Sequence, residues 1–151
     1  MRKYAIVFLV IILFTACNNN DESIDYREQN EQEILAYIES NNLNAQKSSS
    51  GLYYVIDEPG EGEQPIATSD VTVAYKGYFT NGTVFDESDA NGISFNLQRV
   101  IKGWTEGITY FKEGGSGLLL IPAHLGYGNS DYAGIPGGSV LLFDINLISV
   151  N

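Results

Sequence analysis

The 151-residue sequence predicts an α+β fold: a curved antiparallel β-sheet of about five strands wrapped around one short helix, with a helical extension at the N-terminus. Three observations carry that prediction. Apolar residues alternate with period two through Val71-Thr72-Val73-Ala74-Tyr75 and again at Ile93, Phe95 and Leu97, as in half-buried strands. Asn81-Gly82 stands between Phe79 and Val84-Phe85, a dipeptide that accepts the positive φ angles of a tight hairpin turn. Trp104, Ile108 and Phe111 fall at i, i+4 and i+7, one apolar helix face able to lie on a sheet. Sixteen glycines and ten tyrosines fit a turn-rich β protein better than a helical bundle.

Residues 1–16 read as a lipoprotein signal peptide. Met1-Arg2-Lys3 supplies a positive start, and Tyr4 to Phe14 an apolar run too short to cross a bilayer comfortably. Phe14-Thr15-Ala16-Cys17 resembles the bacterial lipobox, with Phe14 in place of the usual leucine, so Cys17 is expected to carry the lipid. A single cysteine in an exported chain has no intramolecular disulfide partner, which favours lipidation over redox chemistry. Residues 17–50 are then expected to be a lipid-anchored tether, opening on the acidic spacer Asn18-Asn19-Asn20-Asp21-Glu22. Within it, Asp25 to Asn42 carries a weak helical pattern with Ile34, Leu35 and Ile38 on one face and a stop at Asn41-Asn42. Ser48-Ser49-Ser50-Gly51 reads as a flexible joint leading into a domain at 51–151.

Inside that domain the punctuation continues in order. Leu52 to Asp57 is a strand, Pro59-Gly60-Glu61-Gly62 a loop, and Val71 to Tyr75 the next strand, followed by the hairpin and the Ile93–Leu97 alternation. The helix after Gly103 ends at Gly114-Gly115. Leu118 to Ile121 is a buried strand, Pro122 to Ser139 a long glycine-rich loop, and Val140 to Val150 a final strand with Phe143, Ile145 and Leu147 on one face.

Several chemistries find no support in the residues. The formal charge of −11, with basic residues scattered singly, excludes nucleic acid as an expected partner. The only histidine, His124, is expected in an exposed loop with no serine motif beside it, so a hydrolytic triad is not predicted. One histidine and one acylated cysteine cannot make a zinc site, and the acids lack calcium-loop spacing, so no metal and no cofactor are expected. What remains is aromatic: Tyr75, Phe85 before Asp86, Trp104, Tyr127 between glycines, and Phe143 before Asp144. Such a set suggests a hydrophobic binding cleft.

From Val71 to Ile148 the ordered motifs resemble the FKBP-type peptidyl-prolyl isomerases. Val71-Thr72-Val73-Ala74-Tyr75-Lys76-Gly77 is similar to the family's first core strand, and Asn81-Gly82-Thr83-Val84-Phe85-Asp86-Glu87-Ser88 to its G-x-x-F-D-S segment. Val100-Ile101-Lys102-Gly103-Trp104-Thr105-Glu106-Gly107 resembles its V-I-x-G-W-x-E-G signature, and Ile121-Pro122, Leu125-Gly126-Tyr127-Gly128, Ile135-Pro136 and Leu142-Phe143-Asp144 follow in family order. The lipobox and the preceding helix also resemble bacterial lipoprotein members, including those linked to gliding motility.

The resemblance implies a rotamase acting on proline-containing peptides or unfolded exported proteins. It implies Trp104 as the floor under a proline ring, with Tyr75, Phe85, Val100, Ile101 and Phe143 as walls. The Ile101 N–H is expected to hold a substrate carbonyl, Tyr127 to donate its hydroxyl, Asp86 to sit at the cleft edge and Ile135 on a flap above. A macrolide inhibitor, membrane attachment through the lipid, a cell-envelope location and a monomeric state are further expectations; a binding module of the same fold without catalysis is the rival. The chain departs from the family pattern at Ile93, where an aromatic wall residue is usual, and at Gly137-Gly138, which implies a more mobile flap. Tyr132 has no family counterpart.

Overall fold

The protein's structure, a computed structural model, describes residues 24–151. The signal peptide and Cys17 lie outside the described residues. Helix α1 (Arg27–Ser40) leads into seven strands: β1 (Gln46–Lys47), β2 (Tyr53–Glu58), β3 (Asp70–Tyr78), β4 (Val84–Glu87), β5 (Ile93–Asn96), β6 (Ser116–Ile121) and β7 (Leu141–Val150). Helix α2 (Lys102–Gly107) stands between β5 and β6. The sheet is antiparallel with order β1-β2-β6-β7-β3-β4, and β5 shares with β4 the outer edge of β3. The α+β architecture is the predicted one. The strand total exceeds the expected five because β1 has only two residues, too few to show alternation, and because β4 and β5 are separate short strands.

Alternation explains which face each strand buries. In β7, Leu141, Phe143, Ile145 and Leu147 point to the inner face under α2, while Asp144, Asn146 and Ile148 are exposed. Strand β6 reads as a continuous apolar run because both its faces are covered. Leu119 and Ile121 join the main core, whereas Leu118 and Leu120 join Ile34 of α1, Tyr53 and Leu142 in a second cluster.

Helix α2 is shorter than its apolar spacing suggests. It gives way at Ile108 to a 3₁₀ turn, and Phe111 is already extended, yet Trp104, Ile108 and Phe111 are all buried as the spacing requires. Two glycines set its distance from the sheet. A Cβ on Gly103 would lie 2.6 Å from the Ile121 side chain and one on Gly107 2.7 Å from Leu119, so the i, i+4 pair lets α2 press directly onto β6.

Other local expectations are revised. In the hairpin only Gly82 takes a positive φ, 84°, within a three-residue connection closed by Phe79 N–H to Thr83 O at 3.0 Å. On α1, Ile34 is fully buried but Leu35 is 46% exposed, and the residue that joins Ile34 inside is Asn30. The serine stretch is an ordered turn, with Ser48 N–H bonded to Leu52 O and Ser50 donating its hydroxyl to Glu106. His124 is partly buried in a 3₁₀ turn, its Nε2 2.9 Å from Ser50 O, because the ring is tucked under Gly51.

Candidate functional site

Between α2, the inner ends of β3, β4, β5 and β7, and the loop after β6 lies a cleft of about 380 Å³. Its floor is Trp104, 4% exposed and held in edge-on contact by Tyr75, Phe95 and Phe143 at centroid distances of 5.0, 5.4 and 5.3 Å. Such perpendicular packing is the favoured arrangement of aromatic rings. The indole Nε1–H is buried and has no hydrogen-bond partner among the described residues. The floor is therefore aromatic surface, while Asp86, Arg99 and the tyrosine hydroxyls give the walls their polar groups.

Val100 and Ile101 form the adjacent wall as the chain turns into α2. Ile101 is the residue before the helix, extended at φ −61° and ψ 150°, so its N–H precedes the helical hydrogen-bond ladder. Among the described residues that N–H donates to no backbone carbonyl. It is a donor on the cleft wall.

One polar pair closes the cleft edge between β3 and β4. Tyr75 donates its hydroxyl to Asp86 Oδ2 at 2.7 Å, tying β3 to β4 across the mouth. Burial first, then the Asp86 carboxylate, hold the Tyr75 phenol protonated far above the ordinary tyrosine range. Burial, then the charge of Asp86, then Tyr132, push the Tyr127 phenol up in the same direction. Both hydroxyls remain donors at any physiological pH.

The upper wall comes from the loop over residues 122–139. Tyr127 and Tyr132 stack at 5.0 Å with their planes 14° apart, and both line the cleft although they are 40% and 58% exposed. Tyr132 is fixed by reciprocal backbone bonds with Ile135, closed by Ala133 and Gly134 at φ 47° and 87°, a primed turn of the hairpin type. Gly137 and Gly138, expected to loosen this loop, are closely packed, and Gly138 also takes a positive φ of 78°. A Cβ on Gly137 would collide with the Asn129 carbonyl, and one on Gly138 with the Tyr26 ring. Gly137 N–H also bonds Asp131, and Gly138 N–H bonds Gly128 O.

Seven of the nine cleft residues expected from sequence line this one cavity: Tyr75, Asp86, Val100, Ile101, Trp104, Tyr127 and Phe143. Phe85 stands behind the wall, edge-on to Phe143 at 5.5 Å and packed on Phe79. Ile135, expected on a flap above the cleft, is 7% exposed and belongs to the main core, because its bonds to Tyr132 turn it inward. Sequence reasoning missed Phe95, Arg99 and Tyr132 as lining residues. The alternation that placed Phe95 on the inner face with Leu97 was the available signal; the isolated Arg99 and Tyr132 offered none. Ile93, in the position of the usual aromatic wall, is 44% exposed, and Phe95 supplies an aromatic beside Trp104.

Comparison with known proteins places this geometry. Residues 61–148 match the family model described as FKBP-type peptidyl-prolyl cis-trans isomerase. The FKBP-type peptidyl-prolyl cis-trans isomerase FkpA of Buchnera aphidicola subsp. Schizaphis graminum is 48% identical over 107 residues, covering 69% of this chain and 42% of that protein. FkpA of Escherichia coli is 39% identical over 137 residues, 89% of this chain and 47% of that one. This chain thus spans less than half the length of these curated relatives. Among solved structures, FkpA from Escherichia coli aligns at TM-score 0.74 and 38% identity, covering 83% of this chain and 61% of that one. A peptidyl-prolyl cis-trans isomerase from Pseudomonas syringae aligns at 0.71 and 28%, covering 82% and 95%.

Proposed function

The chain belongs to the FKBP-type peptidyl-prolyl cis-trans isomerase family, and from that premise we propose that it accelerates cis–trans isomerisation of X-Pro bonds in exported proteins. The observation that carries this reading is the aromatic cleft floored by Trp104, a concave site of about 380 Å³ with room for a proline and the residues beside it and with donors on its walls.

The mechanism needs no nucleophile. An amide rotates over a barrier of about 18–20 kcal/mol because its resonance is lost as the bond twists, and unaided X-Pro exchange takes tens to hundreds of seconds. The proline ring seats on Trp104 between Tyr75 and Phe143. The Ile101 N–H and the Tyr127 hydroxyl take up carbonyls flanking the proline, which fixes the chain in a bent form while the imide turns. Water best stabilises the planar, dipolar amide, so its exclusion favours the twisted state. Each tenfold acceleration requires about 1.4 kcal/mol, within reach of shape and the Ile101 hydrogen bond, while the Tyr127 hydroxyl adds grip on the flanking chain. Phe85 supports this wall from behind, and Asp86 keeps Tyr75 in place.

The protein works at the cell envelope as a monomer, lipid-anchored through Cys17, with residues 17–50 as a tether whose helix α1 and strand β1 dock on the isomerase domain at 51–151. Support for this context is the sequence of its first twenty-two residues, a positive start, an apolar run, Thr15-Ala16-Cys17 and an acidic spacer. A macrolide inhibitor would compete for the same cleft.

The test is exchange NMR on the peptide Ala-Leu-Pro-Phe. Micromolar protein is expected to raise the cis–trans exchange rate above the uncatalysed value. No acceleration, with an intact fold by circular dichroism, refutes the proposal.

A further inference from the structure

The geometry points to Asn30 of α1 as a positioning residue for the cleft: it clamps both ends of the loop that carries Tyr127 and Tyr132. This inference rests on reading the cleft as the proline site. Asn30 is fully buried, the one polar residue among the described residues with no exposure. A buried carboxamide is costly unless both its atoms are paired, and both are. Its Oδ1 accepts the Ala123 N–H at 2.8 Å, where the loop leaves β6, and its Nδ2 donates to Gly138 O at 2.8 Å, where the loop returns towards β7. One side chain thereby closes the span that holds the upper cleft wall.

Attachment of α1 to the sheet does not require this. Ile34, also fully buried, packs on the outer face of β6 and β7 one turn further along, and an apolar residue at position 30 would extend the same contact. The carboxamide instead meets two backbone groups that the loop cannot pair internally: the first N–H of a 3₁₀ turn and a carbonyl beyond the primed turn. Two further contacts run the same way. The Tyr26 ring lies against Gly138, and Asn129 donates to Ile24 O at 2.6 Å. The helix entry is thus a brace on the far side of the loop from the cleft.

Loss of the clamp releases the loop without touching Trp104, Val100 or Ile101. The competent loop becomes a fraction of the population, and apparent affinity falls by that fraction. Tyr127 and Tyr132 contact the peptide equally before and during the twist, so the loss is one of uniform binding. In the full chain, Asn30→Ala is expected to weaken Ala-Leu-Pro-Phe binding, read by fluorescence of Trp104, by about three- to tenfold. The exchange rate at saturation should stay within about twofold of wild type. Amide hydrogen exchange over 127–135 is expected to quicken while that of β6 and β7 holds.

Asn129→Ala, at an exposed loop position, loosens the same wall without opening the core and is expected to shift affinity and loop exchange in the same direction by a smaller factor. Unchanged affinity and unchanged loop exchange in Asn30→Ala overturn the inference, as does the same result in Asn129→Ala if Asn30→Ala does not fold. Uniformly faster exchange across β6, β7 and the loop, with affinity intact, also overturns it, since that is the signature of a merely structural asparagine. A wild-type protein that neither binds nor turns over the peptide refutes the cleft's function instead, and loop exchange then still decides the clamp.

Discussion

Gly77→Ala tests whether the cleft wall is built on a missing side chain. Gly77 is the last residue but one of β3, in register with Phe143 of β7 and Asp86 of β4. A Cβ there would lie 2.7 Å from Phe143 Cε1 and 2.7 Å from Phe85 Cε2, where ordinary contact begins at 3.4 Å. Each ring would have to retreat by roughly 0.7 Å, and neither has room: Phe143 is held by Trp104 at 5.3 Å and Phe85 by Phe79 at 4.9 Å. Overpacking of this kind costs about 1–3 kcal/mol. Replacing a strand glycine returns about 0.5–1 kcal/mol of backbone entropy. The net is a destabilisation of about 0.5–2 kcal/mol, a fall in Tm of a few degrees by calorimetry.

Activity should fall as well, even where the protein remains fully folded under assay conditions. Phe143 lines the cleft, and a displacement of this size at a site that works by shape lowers kcat/KM about tenfold, equivalent to about 1.4 kcal/mol of transition-state binding. Gly82→Ala is the control. Gly82 has a positive φ of 84° but no atom within 4 Å of its Cβ position, so its loss is backbone strain of about 1–2 kcal/mol with kcat/KM unchanged. A Gly77→Ala protein as stable as wild type and equally active would refute the argument that Gly77 makes space for the wall.

Three further outcomes follow from the site and its supports. Tyr132→Ala, at a residue 58% exposed, should leave Tm within about 2 °C while raising the peptide KM about two- to fivefold in a protease-coupled assay. Burial raises the Glu106 carboxyl, but hydrogen bonds from Ser50, Ser48 and Tyr110 outweigh it and hold the group below its ordinary value of 4.5. Its stabilisation is therefore complete above pH 4.5 and lost as pH falls through the lowered folded value, so in urea titrations the gap between wild type and Glu106→Gln should close on acidification. Cys17→Ala should release the protein from the membrane fraction and abolish acyl-lipid labelling; unchanged fractionation would count against the anchor.

How much of this was legible in the sequence depended on how local the cause was. The segment from Val100 was legible because its family motif is contiguous and because Trp104, Ile108 and Phe111 fall at helical spacing; all three are buried, although the helix itself ends at Gly107, where close packing on β6 is set by Gly103 and Gly107. Strands β3 and β7 declared themselves through alternation, while β6 showed only an apolar run, since α1 covers its second face. Leu35 misled because helical spacing alone cannot say which of two adjacent apolar residues meets the sheet; Ile34 does, on the same buried face as Asn30, whose partners lie 93 and 108 residues away. Gly137 and Gly138 read as freedom and act as contact surfaces, a distinction that only the position of Asn129 and Tyr26 reveals. Phe95 was placed on the right face but not at the site, because its contact with Trp104 depends on how β5 pairs with β3, which alternation alone does not reveal.

That division between local and distant causes carries over to function. The floor and the Ile101 donor come from one segment that packs on β6, and in the proposed mechanism they act on the imide as it twists. The upper wall is assembled from a long loop, a primed turn at Ala133-Gly134 and an asparagine on a helix that precedes the whole sheet. Groups that act on the reacting bond alone set kcat, whereas groups that grip flanking chain equally throughout set KM. Substitutions along 100–104 and at Phe143 should therefore slow turnover, and those at Tyr127, Tyr132 and Asn30 should change which proline segments are held. Residues of the second kind can vary without disturbing the aromatic floor, so substrate choice is open to change at positions where the rate-enhancing surface is untouched.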